Sequence, residues 1–106
     1  MVARTVRMQL KPNSVAAFPR TLENDRIPLL CQQAGFQDEM AFVVPGGTEA
    51  VSISMWDQQA HAEAYARGTS PHVLQAVAHV VEGTPQVDTY AVANSTFHTI
   101  AARVAA

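Results

Sequence analysis

Between Val51 and Tyr65 the chain reads VSISMWDQQAHAEAY, and no other stretch constrains the fold as tightly. Val51, Ile53 and Met55 alternate with Ser52, Ser54 and Trp56, which gives a strand with one apolar face and one small, polar face closed by a large aromatic. Asp57 stands where a helix N-cap belongs, its carboxylate able to accept hydrogen bonds from the next backbone N–H groups. A strand that runs directly into a helix fixes one βα junction. It also points an indole and two hydroxyls the same way, beside a helix start.

The rest of the chain supplies partners for that junction. Val2 to Leu10 alternates Val2, Arg4, Val6, Met8 and Leu10 against Ala3, Thr5, Arg7 and Gln9, a strand with one mainly apolar face on which Arg4 is the misfit. After the turn residues Pro12-Asn13-Ser14, Val15, Phe18, Leu22, Leu29 and Leu30 recur at helical spacing until Gly35. Pro19 and Pro28 each remove a backbone donor, so a kink or break is expected near both. Phe36 to Val44 reads as a second strand, joined through Pro45-Gly46-Gly47-Thr48 to the Val51 strand as a hairpin. Asp57 to Arg67 is a short helix closed by Gly68. Ser70-Pro71 opens another that is expected to run to about Glu82, and Gln86 to Phe97 follows as the last strand.

The order is strand, helix, strand, strand, helix pair, strand. It predicts an α+β, ferredoxin-like split βαβ fold with an antiparallel sheet and its helices on one face, a single domain over residues 1–106. Apolar and aromatic residues lie on both strand faces, and a bare second face would be a large apolar patch for a monomer. A symmetric homodimer packed sheet to sheet is therefore expected.

Composition removes several classes of function. Seven basic and nine acidic residues are scattered along 106 positions with a net charge of −2, so neither nucleic acid nor an anionic membrane surface is an expected partner. No apolar run approaches the roughly 18 residues of a membrane span, and MVARTVRMQL alternates like a strand instead of carrying the apolar stretch of a signal peptide. A cytoplasmic protein is expected. The lone Cys31 excludes an intramolecular disulfide and multi-cysteine metal sites, and its apolar helical setting predicts a small buried thiol.

IPLLCQQAGF, with Pro-Leu-Leu at Pro28 to Leu30 followed by Gly35-Phe36, and SMWDQQAHAEAY, with Trp56-Asp57 followed by Tyr65, resemble a known group. The chain is similar over nearly its whole length to the antibiotic-biosynthesis-monooxygenase-like domains of the dimeric α/β-barrel proteins. The resemblance implies a dimeric α/β-barrel with one cleft per subunit between helices and sheet, lined partly by Trp56. It implies a cofactor-independent monooxygenase acting on a small hydroxyaromatic, quinol or enolic compound; the alternative is a non-catalytic small-ligand-binding or stress-associated barrel protein. Where polyketide oxygenases of this type carry a substrate-holding Asn four residues before the tryptophan, this chain has Ser52. Haem-degrading members need an Asn on the first strand and a His about one helix after the tryptophan. The first strand here lacks the Asn, and His72 lies too far from Trp56.

Oxygenation without a cofactor requires a substrate that itself gives an electron to oxygen, so the protein must bind a phenol or enol, favour its deprotonation and exclude water. Trp56 is a candidate wall whose indole N–H can donate to a ligand oxygen; a core or interface role accounts for it equally well. His61 and Tyr65, four apart with Ala62 beside them, share one helix face, expected to be the buried one. His61 is the candidate base, against the competing role of a structurally hydrogen-bonded imidazole. Ser52, Tyr65, Arg4 and Tyr90 complete the candidate substrate contacts, with packing as the rival role of Tyr90. Arg4 on its apolar strand face must pair with a carboxylate (Asp88 or Glu39), reach the rim or meet an anionic ligand. His72, Gln75, His79 and Glu82 fall opposite the apolar Val73, Val77, Val80 and Val81, which argues for a solvent face and against a metal site there. His98 carries no assignment.

Overall fold

In the computed structural model, which describes residues 1–97, four antiparallel strands form one sheet in the order β2-β3-β1-β4. These are β1 (Val2–Leu10), β2 (Phe36–Val43), β3 (Glu49–Trp56) and β4 (Val81–Ala91). Helices α1 (Phe18–Asp25) and α2 (Ile27–Cys31) connect β1 to β2, and α3 (Gln59–Gly68) and α4 (Ser70–Ala76) connect β3 to β4. This is the ferredoxin-like split βαβ fold. No helix among the described residues is long and apolar enough to cross a membrane.

The prolines act as helix starts. Pro19, Pro28 and Pro71 each occupy the first turn of α1, α2 or α4, where a missing N–H costs no helical hydrogen bond. The apolar stretch from Val15 to Leu30 is accordingly broken near both of its prolines, as expected. Between β2 and β3 the Val44 carbonyl accepts from the Gly47 N–H at 2.9 Å, and Gly46 takes a positive φ of 75°, closing the hairpin.

Four local expectations are corrected. Residues Gly83-Thr84-Pro85 do not separate a helix from a strand: α4 ends at Ala76, a 3-10 turn follows at Ala78–Val80, and β4 already begins at Val81. Glycine at φ 71° and proline lie inside β4 at a register shift opposite Arg7 to Gln9, a β-bulge on an edge strand, which uses the same residue types as a turn. Asp57 does not cap α3, whose N-cap is Gln58, and Ser70 lies inside α4 behind Thr69. Both side chains are engaged elsewhere. Cys31 is exposed, because the five-residue α2 gives its inward position to Leu30.

The helices cover the face formed by Val2, Arg4, Val6, Met8 and Leu10 of β1 and Ala50, Ser52, Ser54 and Trp56 of β3, all buried. The buried face of β3 is thus its small, polar one. Val51, Ile53 and Met55 point to the opposite face with the exposed Met40 and Phe42 of β2. Two apolar clusters lie under the helices. One joins Val6, Met8, Leu10, Phe18, Leu22, Ala50, Val77, Val80 and Val81; the other joins Val2, Leu30, Trp56, Ala62 and Tyr65. Along β1 the break between them falls at Arg4, and along β3 at Ser52 and Ser54.

Candidate functional site

The polar belt at that break is the candidate site. Small serines on β3 leave volume above the sheet, and two arginines enter it from different elements. Arg4 comes from β1 and is 5% exposed; Arg26, between α1 and α2, is 4% exposed. Arg26 Nη1 donates to Glu39 Oε2 at 3.3 Å and to Ser52 Oγ, which itself donates to Glu39 Oε2 at 2.9 Å. The Arg26–Glu39 pair is a buried ion pair, closed by the Ser52 hydroxyl.

Arg4 takes neither of the carboxylates considered for it. Glu39 belongs to Arg26, and Asp88 pairs in register with Thr5 on the opposite sheet face. Instead Arg4 Nη2 donates to Ser70 Oγ at 2.8 Å, and the guanidinium lies over the Tyr65 ring at 5.2 Å from its centroid. Burial pushes the Arg4 pKa below its ordinary value; Tyr65 opposes that shift and the neighbouring Arg26 charge adds to it. Arg4, Arg26, Tyr65 and Ser70 line a cavity of about 10 Å³, room for roughly one water-sized group.

Trp56 forms the floor beside this belt. It is fully buried, its Nε1–H donates to Ser54 Oγ at 2.9 Å, and it packs on Tyr65 with ring centroids 5.1 Å apart and edge-on to Phe36 at 5.6 Å. The indole N–H expected to face a ligand is therefore committed within the strand, two residues back. Tyr65 is buried as its helix face predicts, but His61 on the same face is about one-third exposed. The ring sits at the start of α3, where Asp57 Oδ1 approaches Nδ1 at 2.6 Å. That hydrogen bond is the main cause holding the Asp57 carboxyl below its ordinary pKa.

Gly35 is the seat of this pair. Its φ is 80°, its carbonyl accepts from the Asp57 N–H at 2.9 Å, and a Cβ there would overlap both the Asp57 carboxylate and the His61 ring.

Of the residues singled out in the sequence, Arg4, Ser52, Trp56 and Tyr65 are brought together beneath the helices, with His61 one turn of α3 away from Tyr65. Tyr90 is not. It pairs with Ala3, is 56% exposed and faces away from the helices, so its expected place in the cleft is corrected by the register of β4. His72 and His79 are exposed, and His98 lies outside the described residues. Arg26 was missed, whereas Glu39 was named only as a partner for Arg4, and Asp57 and Ser70 only as helix starts. Arg26 had a signal: Phe18, Leu22, Arg26 and Leu30 form an unbroken series at spacing four, in which a charged residue takes an inward place.

No family model matches the chain, and no curated protein matches it. Solved structures do. A Nitrosomonas europaea protein of unknown function matches with a TM-score of 0.74 at 21% identity, covering 92% of this chain and 94% of that one. A protein described as an antibiotic biosynthesis monooxygenase matches with a TM-score of 0.69 at 11% identity over 89% of this chain and 100% of that one. A mutant of SnoaB, a cofactor-independent oxygenase from Streptomyces nogalater, matches with a TM-score of 0.65 at 15% identity over 90% and 95%. The chain has the fold of the antibiotic-biosynthesis-monooxygenase-like proteins, and the resemblance read from its sequence holds at that level.

Proposed function

We propose that this protein is a cofactor-independent monooxygenase for a small hydroxyaromatic, quinol or enolic compound, bound in the cleft between helices and sheet. The observation that carries the proposal is Arg4, a buried guanidinium without an ion-pair partner among the described residues, lining a cavity beside an aromatic wall. Such a cation stabilises the oxyanion that a phenol or enol must become before it can reduce oxygen. Tyr65 and Trp56 supply the water-excluding side.

Asp57 and His61 supply the proton handling. The Asp57 contact at Nδ1 orients the imidazole and leaves Nε2 to accept the substrate proton. His61 and Tyr65 are one helical turn apart on α3, on the order of 6 Å along the axis. The chemistry balances without a bound redox group. The substrate anion passes one electron to O2, the carbon radical and superoxide join in a C–O bond, and return of the proton gives a hydroperoxide. Loss of water from a carbon that began as CH2 leaves C=O, so one oxygen atom enters the product and the other leaves as water.

Two copies assemble as a symmetric homodimer in the cytoplasm on this proposal, through the sheet face that carries Met40, Phe42, Val51, Ile53 and Met55. Met40 and Phe42 are each about half exposed within one subunit, an apolar surface that a second copy would cover.

The test is oxygen uptake by metal-stripped protein with hydroquinones, anthrones and flavonols and no added cofactor. Saturable uptake is expected, falling at least a hundredfold in His61→Ala, with the melting temperature within a few degrees because His61 is partly exposed. Uptake unchanged in that variant removes His61 from the mechanism. A flat response across the panel, with ligand-dependent quenching of the single tryptophan, favours the non-catalytic ligand-binding protein instead.

A further inference from the structure

The buried polar belt has an unequal charge count. Arg4 and Arg26 bring two positive charges and Glu39 brings one negative charge, so the cluster carries one uncompensated positive charge. A lysine could relieve such burial by shedding its proton, but a guanidinium stays charged. One donor is also left over: Arg26 Nη2 is buried and has no hydrogen-bond partner among the described residues. Arg26 lines the same cavity as Arg4 and Ser70.

From this geometry we infer that the cavity between Arg4 and Arg26 is a carboxylate site, and that the substrate is an aromatic monocarboxylic acid instead of a neutral phenol. The inference rests on the oxygenase proposal for the word substrate, and it gives Arg4 to the substrate's carboxylate in place of the phenol or enol oxyanion. A carboxylate brings the single negative charge that the cluster lacks, and it is ionised at neutral pH without help from a base. One of its oxygens carries lone pairs for both Arg4 and Arg26 Nη2, and the other stays outside. The cavity has space for about one oxygen atom, so one carboxylate oxygen enters and the rest of the ligand stays outside it. The Arg26–Glu39–Ser52 contacts hold Nη1 away from the ligand, which leaves Nη2 as the recognising atom.

The test uses benzoate, which binds as an anion and cannot serve as an electron donor to oxygen. Calorimetric titration of the full chain is expected to give saturable benzoate binding, with benzamide at least tenfold weaker. Arg4→Met should lose at least tenfold in benzoate affinity while the melting temperature stays level or rises, since it removes a buried charge that has no counter-ion in the protein. Arg26→Met leaves Glu39 buried alone and can fail to fold, so the paired Arg26→Met, Glu39→Met variant is made as well. It too should lose at least tenfold.

Equal binding of benzoate and benzamide, wild-type affinity in Arg4→Met, or no binding of either compound overturns the site and leaves Arg26 Nη2 to a water molecule. The oxygenase proposal is tested separately by uptake with 2,5-dihydroxybenzoate and its methyl ester. Uptake that does not distinguish acid from ester overturns the carboxylate site and keeps the oxygenase. Benzoate binding with no uptake of either does the reverse.

Discussion

Where β1 and β4 carry Leu10 and Val81, the space under the helices is filled by aliphatic side chains and Phe18, all buried without a polar atom to satisfy. A few residues along β1, at Arg4, and beside it on β3, at Ser52, the space under the helices is filled by guanidinium, carboxylate and hydroxyl groups, each placed against another. The aliphatic end gains stability from every methylene it hides. The polar end spends part of that gain on charges that water would solvate better, and in return keeps groups capable of recognising an anion.

The strongest way to break this contrast is to damage the aliphatic end and look for an effect at the other. Phe18→Ala should cost about 3–5 kcal/mol in chemical denaturation while benzoate affinity in the folded fraction stays within twofold. A parallel loss of affinity would mean that the two ends are not separable. A smaller change sharpens it from the polar side. Ser54→Ala takes away the acceptor of the Trp56 N–H, and a buried donor left unpaired costs about 1–3 kcal/mol. It should also move the tryptophan emission, whereas Phe18→Ala should leave that spectrum in place.

The smallest effect lies at the solvent edge of the site. Asp57 is held below its ordinary pKa by His61, so the stability tied to it is complete above the unfolded-state value and is lost as pH falls through the lower folded-state value. Asp57→Asn should flatten the stability profile between those two values and leave it unchanged near neutrality in shape. An identical acid limb in wild type and variant would show that the Asp57–His61 contact contributes nothing to folding.

The order of elements along the chain and the hairpin were legible because alternation and glycine turns are local signals, and the helix breaks because proline acts wherever it stands. What failed depended on partners distant in sequence. Gly83 and Pro85 look like a turn until β1 is paired beside them, and Tyr90 takes its face from its pairing with Ala3. The candidate site was half legible for the same reason. Arg4, Trp56 and Tyr65 stood out as single residues, but the assignment of Glu39 to Arg26, of Ser70 to Arg4 and of Trp56 to Ser54 is decided by packing across elements or along one strand face.

The same bulge decides how the sheet ends. β4 is an outer strand, and Pro85 offers no N–H while Gly83 turns the chain off the regular ladder. A neighbouring strand approaching that side meets a row of donors and acceptors interrupted at residues 83–85, so only the stretch from Gln86 to Ala91 offers it a regular edge.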